Sequence, residues 1–134
     1  MTELVAPISF GEAADKVGIL QIKRDRIGES EKRANVEAQL AQLSPLLFAH
    51  TADLPGFSEL FARLKAINER LWDIEDELRR HEERQDFGPK FVRLARSVYR
   101  TNDERMRAKR ALDALFGSPI VEEKSYLRGD LSGD

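Results

Sequence analysis

Two long stretches of helical periodicity, separated by one Gly-Pro break, constrain the fold of this sequence more than any other feature. From about residue 58 to 84, apolar residues recur every three or four positions: Leu60, Leu64, Ile67, Leu71, Ile74 and Leu78. At about 1.5 Å per residue, this helix is roughly 40 Å long. After Gly88, Pro89 suits the first turn of a second long helix over 89–116, which Gly117 ends.

A shorter helix is predicted before this pair, over residues 9–28. Ser9 followed by Glu12 is a capping-box pattern, in which a Ser hydroxyl accepts from the backbone and a Glu side chain reaches back. Apolar residues fall on two nearly opposite sides of this helix. Such a helix is usually sandwiched between neighbouring helices or between subunits.

Another short helix is predicted over residues 31–43, with Ser30 as its cap and Pro45 as the residue that ends it. The short gap between the first two helices favours an antiparallel hairpin. Residues 117–134 are expected to form an irregular tail. The sequence therefore predicts a single all-α domain over 1–134, a four-helix bundle-like arrangement. Because the two long helices exceed what a monomer of this size covers easily, we expect a homodimer.

Composition excludes several classes of protein. The 134 residues include no Cys, which excludes disulfides, thiolate catalysis and zinc sites built on Cys. The opening residues, MTELVAPISF, lack the pattern of a secretory signal, and no apolar run is long enough to span a bilayer. We therefore expect a bacterial cytoplasmic protein with no membrane partner. The net charge of −2 argues against general nucleic-acid binding.

Polar residues inside the core-facing stripe of the last helix give the main functional clue. Asn102, Arg105 and Lys109 share the arc of its apolar side chains. The preceding long helix carries a complementary set in and beside its own stripe: Glu75, Arg79 and Glu82. A buried charge is costly unless it is paired, so these positions need an explanation.

Two interpretations of these residues remain open. In the first, Glu75 and Glu82 pair with Arg105 and Lys109 across the two long helices and fix their register. In the second, the helices splay into a polar cleft that binds a small anion. There Arg105 clamps a carboxylate or phosphate, Lys109 adds a point charge, and Asn102 orients the ligand.

Residues outside the long helices extend the candidate site. Lys16 and Lys23 lie two turns apart on the first helix and form either a solvated pair or part of the same cleft. The tail segment with Lys124 and Tyr126 is either disordered or closes over the cleft. The ligand-binding candidates are therefore Asn102, Arg105, Lys109, Glu75, Arg79, Lys16, Lys23, Lys124 and Tyr126.

Motifs for catalysis or cofactors are lacking. His50 and His81 suggest no Ser/His/Asp triad, and two His without Cys are a poor set of metal ligands. The sequence has no Gly-rich phosphate loop. We expect no metal and no cofactor, and Trp72 is expected to be a core anchor. An outward stripe on the last helix is expected to be a solvated face: Arg93, Arg96, Arg100 and Arg107.

Four ordered blocks resemble a bacterial family of unknown function: SFGEAADKVGILQIKRDRI, LWDIEDELR, VYRTNDERMRAKRALDALFGS and VEEKSY. The resemblance spans Ser9 to Tyr126. Members are sometimes encoded near surface-polysaccharide genes, which implies a link to glycan metabolism. The family pattern has Thr and Glu where this chain has Gly18 and Gln21, which puts any role for an acid there in doubt. It implies no activity for any residue.

A looser similarity of design is to the all-helical chorismate mutases, in which Arg and Lys on helix faces bind a dicarboxylate. The likeness is one of design, without an aligned motif. A small enzyme is therefore the second hypothesis, with Arg105, Lys109, Glu75 and Lys16 as candidates for electrostatic or acid–base catalysis on an anionic metabolite. The sequence thus leaves three functions open. They are a binding or adaptor module for an anionic ligand or protein partner, a small enzyme, and a purely structural helical dimer. Of the three, we expect the binding module.

Overall fold

The structure is a computed structural model that describes residues 3–120 together with residues 123 and 125. These residues form four helices packed against one another: α1 (Phe10–Arg26), α2 (Ser30–Phe48), α3 (Phe57–Arg84) and α4 (Pro89–Phe116). No strand occurs among them, so the predicted all-α fold is confirmed. In this part of the chain, no helix combines the length and apolar character needed to cross a membrane.

Local sequence signals set most ends of α1, α3 and α4. Ser9 caps α1, and its Oγ accepts from the backbone N–H of Glu12 at 3.1 Å. Gln85 ends α3 in the left-handed region, with a φ of 53°. Pro89 begins α4, and Gly117 ends it with a φ of 76°.

The second helix departs from its prediction at both ends. Its N-cap is Glu29, without a side-chain cap bond, and Ser30 is already helical. Pro45 does not end the helix, which continues for one more turn to Phe48. Pro45 lacks the N–H that would donate to the carbonyl of Ala41, and both residues are exposed to solvent. Burial of Leu47 in the core stabilises the extra turn.

Aromatic contacts at one end of the bundle fix the helix directions. Phe10, at the start of α1, stacks on Phe116, at the end of α4, with 4.3 Å between ring centroids. Phe57, at the start of α3, lies 5.7 Å from Phe10 and 6.2 Å from Phe48, at the end of α2. The helices therefore run alternately up and down, and the predicted antiparallel pairing of α1 with α2 is confirmed.

The central helix is α1, which packs against all three others, as its two apolar sides predicted. It is much shorter than its neighbours, with 17 residues against 28 in each of α3 and α4. Arg26, at its end, contacts Asp73 at 2.6 Å, near the middle of α3. We call residues 57–73 and 101–116 the proximal half of the α3–α4 pair, and residues 74–100 the distal half. Helix α1 packs along the proximal half and ends beside the start of the distal half, whereas α2 packs mainly on α1 and touches α3 through Phe48.

Candidate functional site

A buried carboxylate on α1 is the centre of the charged cluster. Asp15 is only 1% exposed. Arg105 on α4 donates to both of its oxygens, from Nε to Oδ1 at 3.1 Å and from Nη2 to Oδ2 at 2.5 Å. Asn68 on α3 also donates to Oδ1, at 2.8 Å. This bidentate pair and the amide together satisfy a charge that would be strongly destabilising alone.

A second ion pair joins α1 and α4 one turn away. Lys109 is 5% exposed, and its Nζ lies 2.7 Å from Oε1 of Glu12. The other oxygen of Glu12 lies 3.6 Å from Nζ of Lys16, whose side chain is largely exposed. The carboxylate that the sequence assigned to a capping box therefore compensates a core cation.

A third contact brings the backbones of α1 and α4 together. The N–H of Gly11 donates to Oδ1 of the buried Asp113 at 2.6 Å. A Cβ at position 11 would lie 2.2 Å from the carbonyl oxygen of Lys109 and 2.9 Å from that same Oδ1. Only glycine permits this approach, so the three contacts together fix how α1 lies on α4.

The pairing predicted across the two long helices is wrong in its partners. Arg105 and Lys109 pair with carboxylates of α1, while Glu75 and Glu82 on α3 are exposed. The groove between α3 and α4 holds α1 at this level, so the acids of α1 reach the cations first.

The axial register of α3 and α4 gives the physical reason. Arg70 contacts Glu104 at 3.0 Å, and the ring of His81 lies 6.0 Å from that of Phe91. For antiparallel helices in this register, the two predicted carboxylates lie roughly 10 Å and 27 Å along the axis from their intended cations. Helical periodicity predicts on which face of a helix a residue lies, but not where it lies along the axis relative to a residue of another helix.

A cleft of about 460 Å³ opens where α1 ends, between α1, α3 and α4. Four of the predicted ligand-binding residues line it: Lys23, Glu75, Arg79 and Arg105. Its apolar wall consists of Ile19, Ile22, Leu71 and Trp72. The cleft thus combines an aromatic and aliphatic surface with charges of both signs.

The three cations that line the cleft differ in whether a carboxylate forms an ion pair with them. Arg105 is held by Asp15 from the inner side. Among the described residues, no carboxylate comes within the 4.0 Å of an ion pair to Lys23 or Arg79. Lys23 on α1 is half-buried and Arg79 on α3 is exposed, and both side chains line the cleft.

Trp72 is not the core anchor that the sequence predicted. It is half-buried and lines the cleft, with the guanidinium of Arg26 5.7 Å from its ring centroid. The reason is the short α1, which ends beside this ring instead of covering it. Trp72 is therefore available to a ligand.

The other candidates lie apart from the cleft. Lys109 is buried in its ion pair, and Lys16 is on the surface beside Glu12. Asn102 is half-buried and does not line the cleft. Lys124 and Tyr126 lie outside the described residues. The structure therefore brings together only part of the predicted set.

Sequence reasoning missed the residue on which the cluster depends. Asp15 falls on the second apolar side of α1, in the same helical arc as Ile19 and Ile22. A search for charges on apolar faces, which found the cations of α4, identifies Asp15 when it is applied to that side. Gly11 lies in the same arc, but nothing in the sequence predicts its close contact with Lys109 and Asp113 of α4.

Within the described ranges, no group of three or more His, Asp or Glu side chains is placed to hold a metal ion. Comparison with known proteins gives no match to a family model, to a curated protein or to a solved structure. The resemblance to a bacterial family of unknown function and the similarity of design to chorismate mutases therefore stay predictions from the sequence.

Proposed function

We propose that this chain is a non-catalytic binding module whose cleft accepts a small ligand with an apolar body and one anionic group. The observation that supports this most is that two cations, Lys23 and Arg79, line the cleft together with the half-buried Trp72. No described carboxylate forms an ion pair with either cation. An anionic group between them gains two charge-assisted contacts, each typically worth about 1.5–3 kcal/mol.

The walls of the cleft select the rest of the ligand. Trp72, Leu71 and Ile22 offer a flat apolar surface to an aromatic or aliphatic body. Glu75 and Asp76 line the α3 side and repel a ligand that is anionic throughout. A monocarboxylate with an apolar body therefore fits better than a polyanion.

The roles of Arg105 and Lys109 change in this proposal. Asp15 compensates Arg105, which we assign to shaping the floor of the cleft. Lys109 takes no part, because Glu12 holds it away from the cleft. The ligand-binding charges are then Lys23 and Arg79.

The module is also proposed to act as a homodimer, and a cytoplasmic location stays a prediction from the sequence. No observation on the described residues favours the enzyme alternative over binding. The purely structural alternative is supported by the ion pairs of the proximal half. It assigns no purpose to Lys23 and Arg79, which form no ion pair with a described carboxylate.

The test uses the fluorescence of Trp72, the only Trp of the chain. Benzoate and octanoate are titrated beside benzyl alcohol and benzylamine, which keep an apolar body without the negative charge. We expect saturable changes with the two carboxylates only. In a Lys23→Met, Arg79→Met double variant, the affinity should fall by about tenfold or more for each cation removed.

The matched control is a Lys16→Met, Arg80→Met double variant, which removes one surface cation from each of the same two helices. Lys16 pairs with Glu12 and Arg80 with Glu77, and neither lines the cleft. This variant should bind carboxylates as the parent chain does. Equal binding of the neutral and anionic probes, or unchanged binding by the Lys23→Met, Arg79→Met variant, would refute the proposal.

A further inference from the structure

We infer that the ligand of the cleft is a zwitterion, an α-amino acid with an aromatic or large aliphatic side chain. The inference rests on the proposed function and narrows it, because it adds a positively charged group to the apolar body and the anionic group. The residues that carry it are the two carboxylates that line the cleft, Glu75 and Asp76.

The cleft presents free charges of both signs. Glu75 and Asp76 line the same cleft as the two cations of the proposed anion contact, Lys23 and Arg79. Among the described residues, none of these four side chains forms an ion pair within 4.0 Å with any other charged group. Two negative and two positive charges therefore stay available to a ligand, and a ligand that carries both signs matches them best.

A neighbouring pair of residues on α3 shows the contrast. Glu77 and Arg80 lie three residues apart, do not line the cleft, and form an ion pair. Asp76 and Arg79 line the cleft with the same spacing and the same order of charges, yet they form no ion pair. Glu75 and Arg79 have the favourable spacing of four residues, with the acid nearer the N-terminus, and do not pair either. On the cleft side of α3, acid and base are thus near each other without neutralising each other.

The order of residues along α3 fits the groups of an α-amino acid. Trp72 lies one turn before the two carboxylates, and Arg79 lies one turn after them. Side chains three or four residues apart on a helix are neighbours, with about 5–6 Å between their Cβ atoms. In an α-amino acid, one carbon atom bears the side chain, the ammonium group and the carboxylate group. The side chain then packs on Trp72, the ammonium group binds Glu75 and Asp76, and the carboxylate group binds Arg79 and Lys23.

The size and the charges of the cleft select against other ligands. Its volume of about 460 Å³ lies in the lower part of the range of roughly 300–1,000 Å³ for small-molecule pockets. An amine without a carboxylate places a third positive charge beside Lys23 and Arg79. A carboxylate without an amine gains both of these cations but places a third negative charge near Glu75 and Asp76. An amino acid meets an opposite charge at each of its two charged groups.

Titration of the fluorescence of Trp72 with four phenyl compounds tests the inference. They are L-phenylalanine, N-acetyl-L-phenylalanine, 3-phenylpropionate and 2-phenylethylamine. Phenylalanine should bind about tenfold more tightly than the acetylated acid and 3-phenylpropionate, because these two lack the positive charge and one charge-assisted contact. Phenylethylamine, which lacks the carboxylate, should not bind detectably.

A Glu75→Gln, Asp76→Asn double variant separates the two charged contacts. Neither acid forms an ion pair in the fold, so helix content by circular dichroism should be unchanged. The affinity for phenylalanine should fall about tenfold, because the ammonium group loses its partners. The affinity for 3-phenylpropionate should stay equal or rise, because two negative charges near its carboxylate are removed.

The matched control is a Glu77→Gln, Glu83→Gln double variant. It removes the same charge from the same helix, at two positions that do not line the cleft. It should leave the ratio of the affinities for phenylalanine and 3-phenylpropionate unchanged. An equal change of this ratio in both variants would assign the preference to the net charge of α3 and overturn the inference.

Two further results overturn this inference alone. They are equal affinities of the parent chain for phenylalanine and 3-phenylpropionate, and a loss of affinity for both ligands in the folded Glu75→Gln, Asp76→Asn variant. In either case, binding of 3-phenylpropionate to the parent chain leaves the proposed function standing. If none of the three carboxylates binds, or if phenylethylamine binds as tightly as phenylalanine, the proposed function and the inference are both overturned.

Discussion

The proximal and distal halves of the α3–α4 pair use one helical stripe in opposite ways. In the proximal half the stripe of α4 contains Arg105 and Lys109, and carboxylates of α1 compensate both. In the distal half the equivalent positions contain Val98 and Phe91 on one line and Ala95 on the other, and no helix of the described residues lies over them. Charge thus occurs inside the stripe where α1 supplies a partner, and apolar surface occurs where α1 is absent.

The buried polar groups of the two halves differ in the same way. Asp15 on α1, which faces the proximal half, accepts from Arg105 and Asn68 of that half. His81 in the distal half is 1% exposed, and its Nδ1 lies 3.0 Å from the carbonyl oxygen of Asp86. Its Nε2 is buried without a hydrogen-bond partner in the described part of the chain. Among the described residues, the one buried side-chain polar atom without a hydrogen-bond partner therefore lies in the distal half.

The difference between the two halves is tested most strongly by replacing one Arg with Met in each half of α4. Arg105→Met removes the partner of Asp15 and leaves a carboxylate that is 1% exposed with only Asn68. We expect the free energy of unfolding in urea to fall by about 3–5 kcal/mol.

Arg93→Met is the matched control, because Arg93 is exposed on the distal part of the same helix. Its free energy of unfolding should stay within about 0.5 kcal/mol of the parent value. Equal losses from the two variants would mean that the Asp15 pair is no more important to the fold than a surface cation.

A smaller effect is expected from two glycines of α1 that face different neighbours. Gly11→Ala places a Cβ 2.2 Å from the backbone oxygen of Lys109, so α1 and α4 must separate. The cost is about 1–3 kcal/mol, measured as the free energy of unfolding.

Gly18→Ala serves as the opposite case, because the atoms nearest to its Cβ belong to Lys65 and Phe61 and lie 3.8 Å away, an ordinary contact. It should stabilise the chain by about 0.5–1 kcal/mol through helix propensity. If both substitutions stabilise, the close approach at Gly11 is not a constraint on the proximal half.

The smallest effect concerns the distal cations, which lie beside an aromatic ring instead of carboxylates. Hydrogen bonding from Arg96, and then from Arg100, holds the pKa of the Tyr99 hydroxyl below its ordinary value of 10.0. Arg96→Met should therefore raise the pKa of Tyr99, followed by ultraviolet difference absorbance. A Tyr126→Phe background leaves Tyr99 as the only titrating tyrosine, since the chain has two. Arg93→Met should raise the pKa of Tyr99 less. An equal rise would mean that the summed charge of the nearby cations, and not a hydrogen bond from Arg96, lowers this pKa.

Much of the fold could be predicted from residues that act locally. Ser9 predicted the start of α1, and the Gly88-Pro89 break predicted the separation of α3 from α4. The prediction failed at Pro45, because burial of Leu47 one turn later outweighs a lost hydrogen bond at an exposed position. The tertiary contact overrode the local rule there.

The candidate site was predictable only in part. The sequence by itself determined which faces of the helices carry charge, because a rotation of about 100° per residue follows from the helix alone. Only the tertiary structure decided that Asp15 and Glu12 meet Arg105 and Lys109. Axial register and the choice of the helix that fills a groove depend on packing between distant segments. The Gly11 contact with α4 is one such packing decision, and helical periodicity contains no information about it.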